Sequence, residues 1–158
     1  MNGYTVSVAN APPRPIAAVR ARLRAESVPA QFARHLDHVY AARAAGVRLD
    51  GQNVFVYRAA PDGEVDVEFG VGALAPFAPT GAVTFSATPG GEVAATTHVG
   101  DYAGLGRAHD AVVAWCRAHG RRLAGPRWEI YGHWSDDPAA RRTDVCYLLA
   151  ADSTTPAA

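Results

Sequence analysis

The sequence predicts an α+β fold assembled from two β-α-β-β units, and three observations carry that prediction. Gly46, Gly51 and Tyr57 recur as Gly120, Gly125 and Tyr131, each 74 positions further on. Repetition at a fixed spacing marks a duplicated architecture. Before each copy stands a helical stretch, and before that a short apolar segment, Ile16 to Val19 in one and Val93 to Val99 in the other. After each copy comes another strand-like run, Val65 to Val71 and Thr143 to Leu149. The expected layout is one domain over residues 1–152, with repeat units at about 5–75 and 82–151. Residues 153–158 are expected to fray.

Thr5 to Ala9 and Pro15 to Leu23 flank Pro12-Pro13, which breaks any helix there. Arg20, Arg22 and Arg24 alternate with Val19, Ala21 and Leu23, a strand period with a basic outer face. Pro29 suits the first turn of a helix that runs to about Ala45 and closes at Gly46, with Phe32, Leu36, Val39 and Tyr40 on its apolar face. Val54 to Arg58 reads as a strand ended by the Pro61-Asp62-Gly63 turn, with Val65 to Phe69 as its hairpin partner. Ala73 to Pro79 is loop-like, Val83 to Phe85 a short strand, and Pro89-Gly90-Gly91 a tight turn. After Val93 to Val99, Asp101 caps a helix from about Ala103 to His119, its buried side formed by Leu105, Ala108, Val112 and Trp115. The strand carrying Trp128 to Tyr131 follows, then a turn or short helical start at Asp136-Asp137-Pro138, and Val145 to Ala151 closes the fold.

Composition narrows the function. With 49% hydrophobic and 19% charged residues in 158 positions, the chain is ordinary for a globular protein. Fifteen cationic residues balance fifteen acidic ones, which argues against a protein that neutralises nucleic-acid phosphate along a basic stripe. Every cation is arginine, a bias of composition and not a site. The first residues lack the basic and apolar regions of a signal peptide, and no apolar run spans the ~20 residues a bilayer requires. Cys116 and Cys146 are far apart and read as reduced, small core side chains. The expectation is a cytoplasmic protein with no membrane contact.

The most informative residue is Glu129. Period two puts Trp128 and Ile130 on one strand face and Glu129 with Tyr131 on the other. An unpaired buried carboxylate is costly, so a plain core does not explain it; an acid at the floor of an aromatic pocket does. The competing reading is a strand glutamate that faces solvent or pairs with Arg127 or Arg141. By the repeat, Phe55 takes the place of Glu129 in the first unit, an asymmetry that packing does not require.

Three segments resemble a GyrI-like small-molecule-binding domain: Ala95-Thr96-Thr97-His98-Val99-Gly100-Asp101-Tyr102, Trp115-Cys116-Arg117-Ala118-His119-Gly120, and Gly125-Pro126-Arg127-Trp128-Glu129-Ile130-Tyr131. The similarity spans roughly Pro15 to Ala150. The resemblance implies a pseudo-twofold, eight-stranded antiparallel sheet around a central cleft, with two helices packed outside. It implies that the cleft takes aromatic, often cationic, drug-like molecules, and that Glu129 and Tyr102 face it. Family members serve as sensor domains of AraC-type and MerR-type regulators, protect gyrase from toxins, or hydrolyse the cyclopropane of DNA-alkylating natural products. No helix-turn-helix segment is recognisable outside the two units, so the expectation is a stand-alone member without direct nucleic-acid contact. Gyrase is a further candidate partner, to which the neutral charge lends no support.

The leading expectation is a hydrolase that detoxifies an electrophilic cyclopropane compound, with Glu129 activating water. Tyr102, with Tyr131 as a second candidate, would hold the substrate carbonyl as negative charge develops. The alternative is a non-catalytic binder that sequesters a drug or modulates gyrase. Around the acid, Tyr131, Phe55 and Tyr57 are expected pocket walls; Tyr147 faces the cleft unless a bulge changes its parity. Trp134 is expected at the rim, and Trp128 in the core against a helix. His133, two residues past Tyr131, shares the Glu129 face by parity. His35 and His38 read as surface residues and complete no metal set. Gly70-x-Gly72 and Gly90-Gly91 lack the context of a phosphate loop, so no cofactor is assigned.

Overall fold

The computed structural model describes residues 3–151; the tail expected to fray, 153–158, lies outside them. Its strands are β1 (Ser7–Ala11), β2 (Pro15–Arg24), β3 (Leu49–Ala59), β4 (Glu64–Ala73), β5 (Thr84–Ala87), β6 (Gly91–Val99), β7 (Leu123–Tyr131) and β8 (Arg142–Leu149). They form one antiparallel sheet in the order β1-β6-β8-β7-β3-β4-β2-β5. The helices are α1 (Val28–Ala41) and α2 (Leu105–Ala118). Neither is long and apolar enough to cross a membrane.

The strand order is unchanged when β1–β4 are exchanged with β5–β8, which is the duplication seen in the sequence. Each unit lends its first strand to the other: β1 pairs with β6, and β5 with β2. The pseudo-twofold axis passes between β3 and β7, where Phe55 lies directly opposite Glu129, Val54 opposite Ile130, and Val56 opposite Trp128. Residues related by the 74-position spacing therefore meet at the centre of the sheet. Gly51 and Gly125, also 74 apart, adopt φ of 84° and 118°. Both β3 and β7 slip register around these glycines, between Leu49 and Asn53 and between Leu123 and Arg127. The repeated glycine is thus a repeated bulge, placed where a side chain at positive φ would be strained.

Cross-strand partners share a sheet face. The row Val19, Phe69, Phe55, Glu129, Val145 and Thr96 runs across both halves on one face. Leu36 and Val39 of α1 pack with Val19, Phe55 and Phe69, while Ala108, Val112 and Cys116 of α2 pack with Val145 and Tyr147. Both helices consequently cover the same face, one over each half. Pro29 lies in the first turn of α1, and a 3-10 turn, Ala42–Ala45, carries the helix to Gly46. Before α2 the Asp101 side chain accepts from the Ala103 amide at 3.1 Å, and a 3-10 turn at Tyr102–Gly104 leads into the helix.

Two expectations are corrected. Trp128 is buried, 2% exposed, but its cluster of Ile16, Ala18, Val54, Val56, Val93 and Cys146 lies on the face away from the helices. Period two sends it there because Glu129 faces the helices. His35 is buried and stacked on Phe69 at 4.7 Å, because it shares the α1 stripe of Leu36 and Val39. His38 is exposed as expected.

Candidate functional site

The helices part over the sheet centre and leave a cavity of about 570 Å³ on the pseudo-twofold axis. Its floor is Phe55, Tyr57, Glu129 and Tyr131 from β3 and β7, and its walls include Val28, Pro29 and Phe32 from α1 with Tyr102 and Leu105 at the start of α2. The helices therefore frame the cleft. This explains why Phe32, on the apolar stripe of α1, is 42% exposed. Another depression of about 550 Å³, between the C-terminal end of α1 and Thr80–Val83, is an open, largely alanine-lined surface groove. Its lining offers no acid and, apart from the exposed His38 imidazole, no ring, so the axial cavity is the candidate site.

Glu129 is buried at 5% exposure and both carboxylate oxygens have partners. The Tyr57 and Tyr131 hydroxyls donate to Oε1 at 2.8 and 3.0 Å, and His109 Nε2 lies 2.6 Å from Oε2. Neither Arg127 nor Arg141 pairs with it: the guanidinium of Arg127 sits 5.2 Å from the Tyr57 ring centroid, and that of Arg141 sits 3.9 Å from the Trp134 ring. Burial, followed by the adjacent Glu129 charge, pushes both phenols far above their usual range. They are neutral donors at neutral pH. A buried carboxylate with three donors meets the requirement that such groups be paired and hydrogen-bonded.

His109 was not singled out by the sequence reading. It stands on the buried side of α2, four residues after Leu105 and three before Val112, so helical spacing points it at the sheet. Its Nδ1 lies 2.8 Å from the Tyr147 hydroxyl. Tyr147 is on the cleft face with Val145, since the bulge falls in β7 outside this pairing. It does not line the cavity; it backs His109 from beneath α2. The Tyr147 hydroxyl is also raised, first by burial, with Arg127 opposing and Glu129 reinforcing the shift.

The remaining expected residues fall in two groups. Tyr102 lines the cavity, sits edge-on to Tyr131 at 5.5 Å, and has no hydrogen-bond partner for its hydroxyl among the described residues. Trp134 lines the mouth and is 65% exposed, with Arg141 stacked on its ring. His133 is different: β7 ends at Tyr131 and Gly132 bonds back to Arg142, so strand parity stops before His133, which is exposed and outside the lining. Placing it beside Glu129 is corrected accordingly. His98 is held by the Tyr4 hydroxyl at Nδ1 and the Asp101 carbonyl at Nε2, both at 2.7 Å, and braces the turn that carries Tyr102. Among the described residues, no group of three or more His, Cys, Asp or Glu side chains is placed to hold a metal ion.

Sheet, axial cavity and buried acid together define a duplicated α+β domain with a candidate small-molecule site on its pseudo-twofold axis. The profile of the GyrI-like small molecule binding domain matches residues 4–149, and the chain belongs to that family. The fold is shared with the C-terminal domain of EcmrR, at a TM-score of 0.72 and 17% identity over 94% of this chain and 98% of that one. In the EcmrR–DNA complex, the chain corresponds to 58% of the longer EcmrR chain. SAV2435, solved bound to tetraphenylphosphonium, aligns at a TM-score of 0.69 and 8% identity over 92% of this chain and 94% of that one. A hydrolase from Listeria innocua aligns at 0.58 and 13% identity over 92% of each chain. No curated protein matches the sequence.

Proposed function

We propose that the axial cavity binds an aryl-rich small molecule that carries positive charge, with Glu129 as its polar anchor. The observation that supports this most is a buried carboxylate opening onto a space walled by Phe32, Phe55, Tyr102, Tyr131 and Trp134. A volume of about 570 Å³ lies within the range of small-molecule sites, which are mostly apolar with a few fixed polar groups. Aromatic faces and an anion both favour a delocalised cation. Because the carboxylate already has three protein donors, the ligand need not bring an N–H of its own.

Tetraphenylphosphonium, the ligand of the structurally similar SAV2435, is a suitable probe. Calorimetric titration of the full chain is expected to show saturable one-to-one binding. Val28→Trp, which places a large ring in the cavity away from Glu129, should weaken binding by about tenfold or more, roughly 1.4 kcal/mol. Failure of the wild-type protein to bind aryl cations, or undiminished binding by Val28→Trp, would contradict the proposal.

A second reading, hydrolysis, is favoured by the Tyr147–His109–Glu129 chain of contacts, which offers a water proton somewhere to go. Water oxygen would bond to a cyclopropane carbon as the ring C–C bond breaks and its electron pair moves to a conjugated carbonyl oxygen. The proton passes to the Glu129–His109 pair and returns to that oxygen. Tyr102 is the better placed donor to the carbonyl, since the Tyr57 and Tyr131 hydroxyls are committed to Glu129. Incubation with a duocarmycin-type cyclopropane should yield the water adduct by mass spectrometry, and Glu129→Gln should abolish it. No adduct above buffer leaves the binding reading alone.

A further inference from the structure

The two halves of the cavity are built to one plan and filled with opposite chemistry. Phe32 is the fifth residue of α1 and His109 the fifth of α2. Each reaches from its helix to the central strand residue of its own half, and those two residues, Phe55 and Glu129, are repeat mates opposite one another. In the first half the contact is Phe32 on Phe55, ring centroids 6.2 Å apart. In the second it is His109 on Glu129 at 2.6 Å. Filling the space between helix and sheet does not require an ionisable pair, because the first half does it with two phenylalanines.

We infer that His109 is the positioning residue of the site: it orients Glu129 and sets the net charge of the cavity floor, so that binding a cation expels a proton from the imidazole. This rests on the reading that the cavity takes a cationic small molecule. With a neutral ring, Nε2–H donates to Glu129 while Nδ1 accepts from the Tyr147 hydroxyl, and the floor carries the single negative charge of Glu129. With a protonated ring both nitrogens donate, the Tyr147 oxygen accepts, and the floor is neutral overall. The contact geometry accommodates both forms without rearrangement, because a hydroxyl oxygen can serve as donor or acceptor.

Few other charges intervene. β7 supplies Glu129 and β8 supplies Tyr147, whose hydroxyl in turn feels Arg127 of β7. Tyr57 of β3 and Tyr131 of β7 act through their bonds to the carboxylate. On α2 itself the charged residues nearest in sequence are Arg107 and Asp110, both exposed. On β6, the other strand beneath the helix, His98 is already held by Tyr4 and Asp101. Glu129 alone touches the imidazole as a charge.

The sign follows from linkage. A cation in the cavity repels a protonated His109, so cation binding favours the neutral ring and releases its proton; reciprocally, acidification weakens cation binding. A neutral ligand feels little of this. The test is calorimetric titration of the full chain with tetraphenylphosphonium and with neutral triphenylphosphine oxide, between about pH 8 and 5.5. Buffers of different ionisation enthalpy report the proton. Phosphonium affinity should fall by about tenfold across that span, with proton release at the acid end, while the oxide changes little. His109→Gln, whose amide can still donate to Glu129, should flatten the phosphonium slope. Tyr147→Phe, which removes the Nδ1 partner and leaves the imidazole, should keep a slope but move its midpoint.

An unchanged slope in His109→Gln, or equal pH dependence for both ligands, overturns the assignment. Binding of phosphonium with no pH dependence and no proton release also overturns it but leaves the cationic-ligand reading standing. Absence of phosphonium binding at every pH removes both together.

Discussion

At the scale of the residue, the site consists of one acid and the groups that make its burial tolerable. Glu129 keeps its place in the core because Tyr57, Tyr131 and His109 all bond to it. Removing a donor leaves acceptor capacity unmet in a buried setting, at about 1–3 kcal/mol for a group of this kind. Tyr57→Phe should therefore lower unfolding free energy by about that amount in a denaturant titration, with the cavity otherwise intact. The phenols respond to alkali in a definite direction. Their folded-state ionisation lies above the ordinary tyrosine value of 10.0, first because of burial and then because of Glu129. The unfolded chain loses these protons first as pH rises, so stability is full below about pH 10 and falls above it. An ultraviolet titration should show Tyr57 and Tyr131 ionising only together with unfolding. Glu129 was legible in the sequence because an acid breaks an aromatic strand. His109 was not, although its spacing from Leu105 and Val112 on the α2 stripe was the available signal.

At the scale of the element, period two and the repeat located the strands that matter, and they placed Glu129 and Trp128 on opposite faces. What the period leaves open is what covers each face. Trp128 packs with Val54, Val56 and Cys146 on the side without helices, and burial there raises the Cys146 thiol to about 12, so it is an inert packing group. Trp128→Ala should cost about 3–5 kcal/mol, the usual range for emptying a buried aromatic site. Its effect on unfolding should be far larger than its effect on ligand affinity, since the ring does not reach the cavity. The reach of a strand pattern also has an end. Parity carried past Tyr131 put His133 beside the acid, but Gly132 turns toward Arg142 and the side chain leaves for solvent. The repeated glycines, by contrast, were visible at once and prove to be the matched bulges of β3 and β7.

At the scale of the whole molecule, duplication explains both the cavity and its one-sidedness. The same 74-position spacing that sets Phe55 against Glu129 sets Arg14 against Thr88, which exchange two hydrogen bonds: the Arg14 amide to Thr88 Oγ1 at 2.8 Å, and the Thr88 amide to the Arg14 carbonyl at 2.9 Å. The halves are thus fastened around the axis at their leading strands as well as along β3 and β7. Divergence then acted on a shared frame, leaving an apolar wall on one side and an acid with its histidine on the other. His35, on the buried stripe of α1, shows the cost of a titratable group on the apolar side. Its Nδ1 has no partner, and burial first, then Arg34 and His38, holds its imidazole below the usual 6.5. Here the unfolded chain takes the proton more readily, so stability is complete above about 6.5 and declines as pH falls below it. His35→Leu should flatten the fall in melting temperature between about pH 6.5 and 5, provided the larger aliphatic side chain packs on Phe69. Of this scale, the pairing of units was readable from the repeat, whereas the exchange of β1 and β5 between halves was not, because short edge strands carry little pattern.

The claim on which the rest depends is that the Glu129 carboxylate recognises what enters the cavity, and Glu129→Gln tests it most directly. The substitution keeps shape and removes charge. Titrated with tetraphenylphosphonium and triphenylphosphine oxide near pH 8, the variant should lose about tenfold or more in affinity for the cation and change little toward the neutral compound. Equal affinity of wild type and variant for the cation would contradict the account.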